Sequence, residues 1–453
     1  MRMLLRTGRI AWVLLYHVCL RRRETLGVRL HRAFQELGVT FVKFGQLLSG
    51  RYDMLPEEDL RELRKLLDRV DPLPDEAMLA IVRQELGARA DELQNAELLA
   101  SASIAQTYTA TFRGRDVVVK VLRPGIRERI ELDLSIIHRV AQLGELLWPM
   151  LRRLTITRAV RDMRDWIREE TDFTLELRNM ERYRFHLAST FPKGKIREDL
   201  GRMVVPVTYP DMSTSRVLVM ERLEGVTLAG WMRGERPADE ERYDPQTSVM
   251  TLFVGSLRPV FQGMSAPFHG DPHPANIVVL PGGDIGLIDF GLMGQYGEKV
   301  IRAANSLYFA IHLRNAEKAT QALLRFAEIP RRYYEELLPS MEAYIEEAAD
   351  GGFAEWMQGA ARVMLKHKLS GSVALPLMVK FVLLVDGLAH EFFPGRSTSD
   401  LLGSELEAAI VTRIRYNISR SDAKGTALAV AYVLSEIVAE GPEVVGRVLG
   451  RLV

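Results

Sequence analysis

Four polar side chains in this sequence are of the types that phosphoryl transfer from a nucleotide needs: Lys120, Asp271, Asn276 and Asp289. Such a reaction requires a cation on the phosphates, a carboxylate near the acceptor and oxygen ligands for Mg²⁺. The types of these side chains predict that Lys120 contacts the α- and β-phosphates. Asp271 is then the carboxylate that faces the acceptor, and Asn276 and Asp289 are the metal ligands.

The spacing around these residues strengthens the prediction. Val117–Lys120 matches the V-A-I-K strand of kinases, His269–Asn276 matches H-R-D-x-x-x-x-N, and Ile288–Gly291 contains D-F-G. Each motif alone is weak, because a strand-end lysine is usually a surface residue and D-F-G is commonly a turn. Here all three occur in the order of kinases. Eighteen residues separate Asp271 from Asp289, enough for two short strands to return both carboxylates to one place.

The elements that must position these residues follow from hydrophobic periodicity. Apolar spacing of three and four predicts helices from Leu26 to about Glu97 and over roughly Ile126–Phe191. Two further apolar runs, Ile277–Leu280 and Ile285–Ile288, flank a turn, and the chain is helix-rich from about Gly297. Four β-branched-rich runs are predicted to form one small antiparallel sheet: Thr107–Phe112, Asp116–Val121, Met203–Val207 and Arg216–Met220.

This order of elements predicts an α+β fold with helix-rich parts at both ends. Together with the kinase motifs, and with the family resemblance described below, it predicts an atypical protein-kinase-like, two-lobed form of that fold. We expect an N-terminal helical extension over 1–97 and an N-lobe over 98–223. A C-lobe with the catalytic loop is expected over 224–330, and a helical part over 331–453. Glu176 lies in the helical stretch between strands, where a kinase fold keeps the acid that pairs with its phosphate lysine. Asp172, one turn earlier, shares its face.

The composition excludes several classes of protein. The 453 residues carry 60 Lys plus Arg against 59 Asp plus Glu, which argues against a nucleic-acid partner. Cys19 is the one cysteine, so the chain forms no intrachain disulfide and fits the cytoplasm. The sequence contains no run of about 18 apolar residues, the length that a transmembrane helix requires, so no transmembrane helix is predicted. The first fifty residues nevertheless hold nine basic residues against two acids, and a short amphipathic segment there could dock on an anionic inner membrane face.

Some kinase features are absent from the sequence. Where a glycine-rich phosphate loop is expected before Lys120, the sequence has Ala100, Ser101, Ala102, Ser103 and Ile104, whose Cβ atoms make the loop stiffer. Gly270 replaces the arginine that gathers an activation-loop phosphate in protein kinases, and no Ala-Pro-Glu follows Asp289 within a hundred residues. Protein kinase activity is therefore doubtful. His269 and His273, separated by Asp271-Pro272, are expected to have structural roles.

The segment Phe41–Ser49 contains Lys43-Phe44-Gly45-Gln46, and with the motifs above the sequence resembles the UbiB/AarF family of atypical kinase-like proteins. This resemblance covers the chain from about Leu26 to beyond Gly291. It implies that Lys43 and Gln46 fold over the nucleotide cleft and meet the acids of an E-x-D pair, Glu170 and Asp172. On a regular helix those two acids are about 200° apart, so they can serve one site only if the helix starts or distorts there.

The resemblance also implies which residues bind nucleotide. The alanine-rich loop Ala100–Ile104 replaces the glycine-rich loop, and Glu221, at the end of the Arg216–Met220 run, joins the nucleotide-contacting set. Ala275 stands where the family usually has glycine, which matters if φ is positive there. ATP or ADP with Mg²⁺ are the implied cofactors. The implied partners are an adenine nucleotide, a membrane lipid or isoprenoid quinone precursor, and quinone-biosynthesis proteins.

The implied function is an ATP-binding, Mg²⁺-dependent atypical kinase or ATPase that supports ubiquinone or related isoprenoid lipid metabolism. Two alternatives stay open at this point. An aminoglycoside- or choline-kinase-like phosphotransferase would share the H-G-D-x-x-x-x-N loop but gives no reason for Lys43 and Gln46. A nucleotide-gated scaffold would organise partners without transferring phosphate. The acceptor does not follow from the sequence.

Overall fold

The computed structural model describes residues 2–20, 23–49, 55–66, 70–147, 156–261, 267–295, 297–348, 353–367, 369, 374–396 and 401. The chain divides into two compact units, each built from several segments. The first unit comprises Met1–Arg184, Val205–Glu224 and Ile288–Leu292. The second comprises Phe185–Val204, Gly225–Leu287 and Met293–Val453. The predicted division into four segments does not follow these boundaries and stays a prediction.

The first unit begins with a helical extension: α1 (Arg2–Leu14, continued by a π-helical turn over Leu15–Leu20), α2 (Leu26–Leu37), α3 (Val39–Leu48), α4 (Glu57–Arg64) and α5 (Asp75–Leu86). Phe34, Leu37 and Phe41, part of the predicted apolar face, are buried. Gly45 lies where α3 packs closely on its neighbours, because a Cβ there would be 2.2 Å from Leu66 Cδ1 and 2.7 Å from Phe34 Cδ2. The glycine of Lys43-Phe44-Gly45-Gln46 thus permits this close packing.

Arg6 joins helix α1 to other parts of the first unit. The Arg6 guanidinium makes two bonds to Asp133, at 2.6 and 2.7 Å, and donates to the Leu37 carbonyl. The Asp133 side chain is fully buried, so Arg6 supplies the charge that this carboxylate needs. The Arg6 guanidinium also lies over the Phe41 ring at 5.9 Å. Helix α1 and the K-x-G-Q helix α3 therefore share a junction.

The sheet of the first unit is antiparallel with the order β1-β2-β3-β5: β1 (Leu93–Ser101), β2 (Ala105–Phe112), β3 (Arg115–Leu122) and β5 (Val217–Glu221). The predicted runs Thr107–Phe112 and Asp116–Val121 form the β2–β3 hairpin, and Arg113 and Gly114 at its turn both have positive φ, as a type I′ turn requires. Val117, Val119 and Val121 face a core with Met78, Ile81 and Val82 of α5. Because side chains alternate along a strand, Lys120 points to the opposite face.

Two of the predicted secondary-structure elements were wrong. The helical prediction over Leu93–Glu97 fails because this segment begins β1, an edge strand whose residues are mostly exposed and whose register is irregular. Because β1 has no buried face, its sequence lacks the alternation of apolar and polar residues that predicts a strand. Met203–Val207 does not join this sheet. Only Met203–Val204 forms a strand, β4, which pairs in parallel with Ile285–Leu287 in the second unit.

The helical prediction for Ile126–Phe191 is confirmed where the structure describes it: α6 (Ile126–Leu147), α7 (Ile156–Glu170) and α8 (Phe173–Thr190). Helix α7 ends at Glu170, and α8 begins three residues later at Phe173. The Asp172 carboxylate accepts hydrogen bonds from the Thr174 backbone N–H and hydroxyl, at 3.0 and 2.8 Å, and so caps α8. The helix break that the E-x-D pair requires is therefore present.

The second unit contains two small sheets. One has the order β4-β9-β8-β6, with β6 (Val226–Thr227), β8 (Ile277–Val279) and β9 (Ile285–Leu287). The other pairs β7 (Pro267–His269) with β10 (Met293–Gln295). The predicted turn between two apolar runs is the β8–β9 hairpin. The helices described in this unit from Gly225 onward are α9 (Leu228–Met232), α10 (Pro245–Phe261), α11 (Glu298–His312), α12 (Ala316–Phe326), α13 (Tyr334–Ala348), α14 (Phe353–Lys366) and α15 (Ala374–Phe392).

Among the described residues, one helix, Met3–Leu20, is long and apolar enough to cross a bilayer by length and composition alone. Arg6 and Arg9 interrupt its apolar run, so it does not contain about 18 consecutive apolar residues. A core helix or a signal sequence can have the same length and composition, so this helix is weak evidence for a membrane span.

Candidate functional site

Lys120 lies in the first unit beside two carboxylates. Its ammonium is 2.6 Å from Glu176 Oε1 on α8 and 4.0 Å from Asp289 Oδ1, and it donates to the Ile288 carbonyl at 3.2 Å. Both Lys120 and Glu176 are largely buried, with side chains 14% and 5% exposed. The acid predicted to pair with the phosphate lysine therefore does contact it. This ion pair fixes the direction of Lys120 across one face of the sheet.

The charges of this cluster reinforce one another. Desolvation works against the charge on Lys120, but the Asp289 and Glu176 carboxylates outweigh it and raise the Lys120 pKa above its ordinary value. Burial raises the pKa of Glu176, although Lys120 and the Phe290 N–H favour its charged form. Lys120 is thus a permanent cation next to two acids, an arrangement suited to anionic phosphates and a divalent metal.

The Asp-Phe-Gly segment is held by its central residue. Phe290 is fully buried and its ring lies 5.6 Å from that of Tyr183. Its backbone N–H donates to Glu176 at 3.2 Å, and its carbonyl accepts from the Asn179 side chain at 3.0 Å. The neighbouring Asp289 side chain stays 46% exposed. The segment therefore fixes the backbone of Asp289 while leaving its carboxylate accessible, as a metal ligand requires.

The K-x-G-Q helix contacts one of the two E-x-D acids. The Lys43 ammonium is 3.1 Å from Glu170 Oε2, and both side chains are mostly buried. The Gln46 amide donates to the Leu66 carbonyl at 3.2 Å, which ties α3 to the end of α4. Asp172 caps α8 instead. The structure thus brings Lys43 to Glu170 and gives Gln46 and Asp172 local hydrogen bonds.

The alanine-rich loop differs in part from the prediction. Ala100 and Ser101 are the last residues of β1, and only Ala102–Ile104 forms the turn into β2. Arg123 holds this turn, since its guanidinium donates to the Ala102 carbonyl at 2.9 Å and to the Ser101 hydroxyl at 2.7 Å. Ser103 is buried, and its hydroxyl is among the buried side-chain atoms without a hydrogen-bond partner.

Glu221 is the last residue of β5, and it forms hydrogen bonds to the backbone of Val207. Its backbone N–H donates to the Val207 carbonyl at 2.7 Å, and its carboxylate accepts from the Val207 N–H at 3.0 Å. These bonds hold the end of the strand. The role of Glu221 in contacting nucleotide stays a prediction.

The loop with Asp271 lies in the second unit, directly after β7. The Asp271 carbonyl accepts from the His273 N–H at 2.8 Å and from the Asn276 side chain at 3.3 Å. The Asp271 and Ala275 backbone N–H groups donate to the Nδ1 atoms of His269 and His273. The two imidazole rings therefore accept hydrogen bonds from the backbone of this loop. Ala275 lies in a 3₁₀ turn and is not among the described residues with positive φ, so its Cβ is tolerated.

Sequence reasoning missed one residue of this loop region. Lys380 of α15 lies with its ammonium 3.1 Å from Asp271 Oδ1. Desolvation alone would raise the pKa of Asp271, but Lys380, His273 and His269 outweigh it and hold that pKa below its ordinary value. A signal existed in the sequence, because Lys380 is the one charged residue between Ala374 and Val385. Of the site residues predicted from the sequence, Asp271 and Asn276 belong to the second unit and the others to the first, so the convergence of Asp271 with Asp289 stays a prediction.

These motifs and contacts define a class of protein. The model of the ABC1 atypical kinase-like domain matches residues 65–323, more than half of the chain, and the chain belongs to this family. The resemblance to UbiB/AarF proteins and the kinase-like α+β fold class are thereby confirmed.

Several relatives match most of the chain. The probable protein kinase UbiB of Marinobacter nauticus is 31% identical over 402 residues, 84% of this chain and 69% of that protein. An uncharacterised protein of Mycobacterium tuberculosis is 36% identical over 64% of this chain and 57% of its own length. For an uncharacterised chloroplastic aarF domain-containing protein kinase of Arabidopsis thaliana the identity is 31%, over 67% of this chain and 54% of that protein. The chain spans little more than half of the last two.

Among solved structures, a complex of a Mycobacterium tuberculosis protein with erythromycin aligns over 80% of this chain and 93% of that chain. Its TM-score is 0.43 and its sequence identity is 21%.

Proposed function

We propose that this protein is an ATP-binding, Mg²⁺-dependent atypical kinase or ATPase that supports ubiquinone or related isoprenoid lipid metabolism. The observation that carries the proposal is the cluster in which Lys120 contacts Glu176 and lies 4.0 Å from the accessible carboxylate of Asp289. Phosphoryl transfer is catalysed mainly by positioning and by electrostatic stabilisation, which a rigid cation beside a metal-binding carboxylate supplies.

The residues present fit ATP and Mg²⁺. Lys120 would hold the α- and β-phosphates, and Asp289 and Asn276 would supply oxygen ligands to the metal. The buried Ser103 hydroxyl has no hydrogen-bond partner, and it lies in the turn expected to approach the phosphates. Since a buried hydroxyl without a partner is costly, a phosphate oxygen is a suitable acceptor. When bound, Mg²⁺ would neutralise phosphate charge, and this chain's residues would orient the nucleotide.

The Lys43–Glu170 ion pair favours this proposal over a choline-kinase-like enzyme. A phosphotransferase for soluble amino-alcohols needs the Asp271 loop but has no use for a helical extension that contacts the helix preceding Glu176. Hydrolysis of ATP, or transfer to a lipid or isoprenoid precursor, accommodates both features. The expected partners are therefore an adenine nucleotide, such a precursor and the proteins that modify it.

A metal-dependent test addresses the proposal directly. With Asp289→Asn, we expect binding of Mg²⁺-ATP to weaken at least about tenfold, because a neutral amide replaces a carboxylate ligand. Binding should be measured by calorimetry with and without EDTA, and hydrolysis by phosphate release. Asp91→Asn, an exposed aspartate in the same unit, is the matched control. Wild-type protein that binds no adenine nucleotide in Mg²⁺ would refute the proposal.

The exposed side of the N-terminal helix supports a peripheral location on the inner face of a membrane. Leu4, Leu5 and Trp12 are 78%, 70% and 63% exposed, next to a basic N-terminal segment. An amphipathic helix of this kind binds anionic lipid through apolar burial and charge attraction. We expect the wild type to float with vesicles that contain anionic lipid, less so in high salt, and Trp12→Glu to reduce flotation severalfold. Equal flotation with neutral vesicles, or of Trp12→Glu, would contradict this location.

A further inference from the structure

Lys380 makes an ion pair with the carboxylate that is expected to face the acceptor. Its ammonium is 3.1 Å from Asp271 Oδ1, and the side chains of Lys380 and Asp271 are 19% and 36% exposed. Lys380 follows Asp271 by more than a hundred residues and lies outside residues 65–323, which the family model matches. A helix of the C-terminal part thus contributes a cation to the Asp271 loop.

The position of Lys380 is fixed by the packing of its helix. The next residue, Phe381, is buried and lies edge-on to Phe268 of β7 with the ring centroids 6.4 Å apart. β7 is the strand that leads directly into the Asp271 loop. At the C-terminal end of α15, the Phe392 carbonyl accepts a hydrogen bond from the Gln246 side chain of α10 at 3.0 Å. Both contacts lie on the C-terminal side of Lys380, and they fix α15 against β7 and α10.

This ion pair differs from an ordinary surface pair. Flexible exposed pairs contribute little, because both side chains lose freedom and water screens their charges. Here the lysine side chain is mostly buried and its helix is anchored next to the loop, so little additional ordering is needed. The Lys380 ammonium contacts Oδ1, and the Asp271 side chain as a whole remains 36% exposed. An orientation fixed in this way is what a proton-accepting carboxylate needs, since misplacement by about 1 Å can cost a hundredfold in rate.

We propose that Lys380 is a positioning residue that orients the Asp271 carboxylate toward the acceptor, and that the C-terminal helix α15 is therefore part of the catalytic centre. This inference rests on the proposed function, because it presupposes that Asp271 acts on an acceptor. It assigns to helix α15 a role that the matched domain alone does not contain.

The decisive comparison uses three variants of the full chain: Lys380→Met, Lys380→Arg and, as matched control, Lys366→Met on the neighbouring helix α14, where the lysine is exposed. For Lys380→Met we expect kcat of Mg²⁺-ATP hydrolysis to fall about 10- to 100-fold with KM for ATP within twofold. Lys380→Arg should recover most of the rate, since it keeps the cation. Lys366→Met should behave as wild type. Hydrolysis by folded Lys380→Met within twofold of wild type would overturn the inference.

A double variant keeps the test valid if Lys380→Met is unstable. In the Asp271→Asn background, which already lacks the carboxylate, adding Lys380→Met should reduce kcat by less than twofold. An equal further loss in both backgrounds would mean that Lys380 acts elsewhere and would overturn the inference. Nucleotide binding distinguishes the two proposals. A wild type that binds no Mg²⁺-ATP refutes the proposed function. Normal nucleotide binding and turnover in the wild type, together with an unchanged kcat in Lys380→Met, refutes only this inference.

Discussion

Asp271→Asn is expected to lower the rate of ATP hydrolysis or phosphoryl transfer by roughly 100- to 10,000-fold and to leave the affinity for Mg²⁺-ATP within about threefold. An amide cannot accept the proton of an attacking hydroxyl, and it also loses its charge pairing with Lys380. The phosphates are expected to bind at Lys120, whereas Asp271 is expected to face the acceptor. Rate and affinity should therefore separate in this variant.

Steady-state hydrolysis and calorimetric nucleotide binding measure the two quantities. Asp239→Asn is a suitable control, because it makes the same chemical change at a surface aspartate of the second unit that is paired with Arg242. In cells, quinone and lipid analysis of a deletion strain complemented with Asp271→Asn would extend the test. Full complementation would indicate a nucleotide-gated scaffold, in which Asp271 performs no chemistry.

Lys120→Met is expected to have the second large effect, on both binding and stability. Loss of a charged hydrogen bond to phosphate should weaken Mg²⁺-ATP binding at least about tenfold. In addition, the buried carboxylate of Glu176 loses its ion-pair partner, a change that typically costs about 3–5 kcal/mol in the free energy of unfolding. Lys65→Met, which removes an exposed lysine of the same unit, should change neither quantity by more than a small amount.

The stability loss in Lys120→Met should depend on pH. Burial already raises the pKa of Glu176 above its ordinary 4.5, and removal of Lys120 takes away a charge that opposed this rise. The folded state then holds the Glu176 proton to a higher pH than the unfolded state, so stability is greatest at low pH and falls as pH rises through the folded pKa. The difference in urea midpoint between the variant and the wild type should therefore be smaller at pH 5 than at pH 8.

A second substitution identifies the cause. Lys120→Met combined with Glu176→Gln removes the buried charge and should regain most of the lost stability at pH 8, while nucleotide binding stays weak. A deficit that is the same at both pH values, or that Glu176→Gln does not reduce, would mean that Glu176 is not responsible for the loss.

The sequence predicted the structure best where short-range residue patterns or the order of motifs determine it. The β2–β3 hairpin could be predicted because two β-branched runs flank a turn whose residues accept positive φ. The pairing of Lys120 with Glu176 could be anticipated from the kinase order of motifs. The helix break between Glu170 and Asp172 was recognised only as a condition, because nothing in helical periodicity marks an N-cap aspartate inside an acid-rich stretch.

Other features depend on tertiary context and could not be read from periodicity. Edge strand β1 has no buried face, and β4 is two residues long, so neither gives a period-two signal. The ion-pair partner of Lys380 could not be predicted from the sequence either. A lone lysine in an apolar helix is conspicuous, but its partner is determined by the packing of α15 near β7, more than a hundred residues away from Asp271 in the chain. Arg51 and Asp53, which follow the K-x-G-Q segment in the sequence, lie outside the described residues.

The short segment Ile288–Leu292 has a consequence for biosynthesis. It belongs to the first unit although the preceding sixty residues belong to the second. On the ribosome, Lys120 and Glu176 emerge more than a hundred residues before the Ile288 carbonyl and the Phe290 N–H that bond to them. Until then the nascent first unit lacks the buried Phe290 ring beside Tyr183. The first unit therefore cannot complete its fold as an N-terminal fragment, and a chain stopped at Glu224 should remain dependent on chaperones.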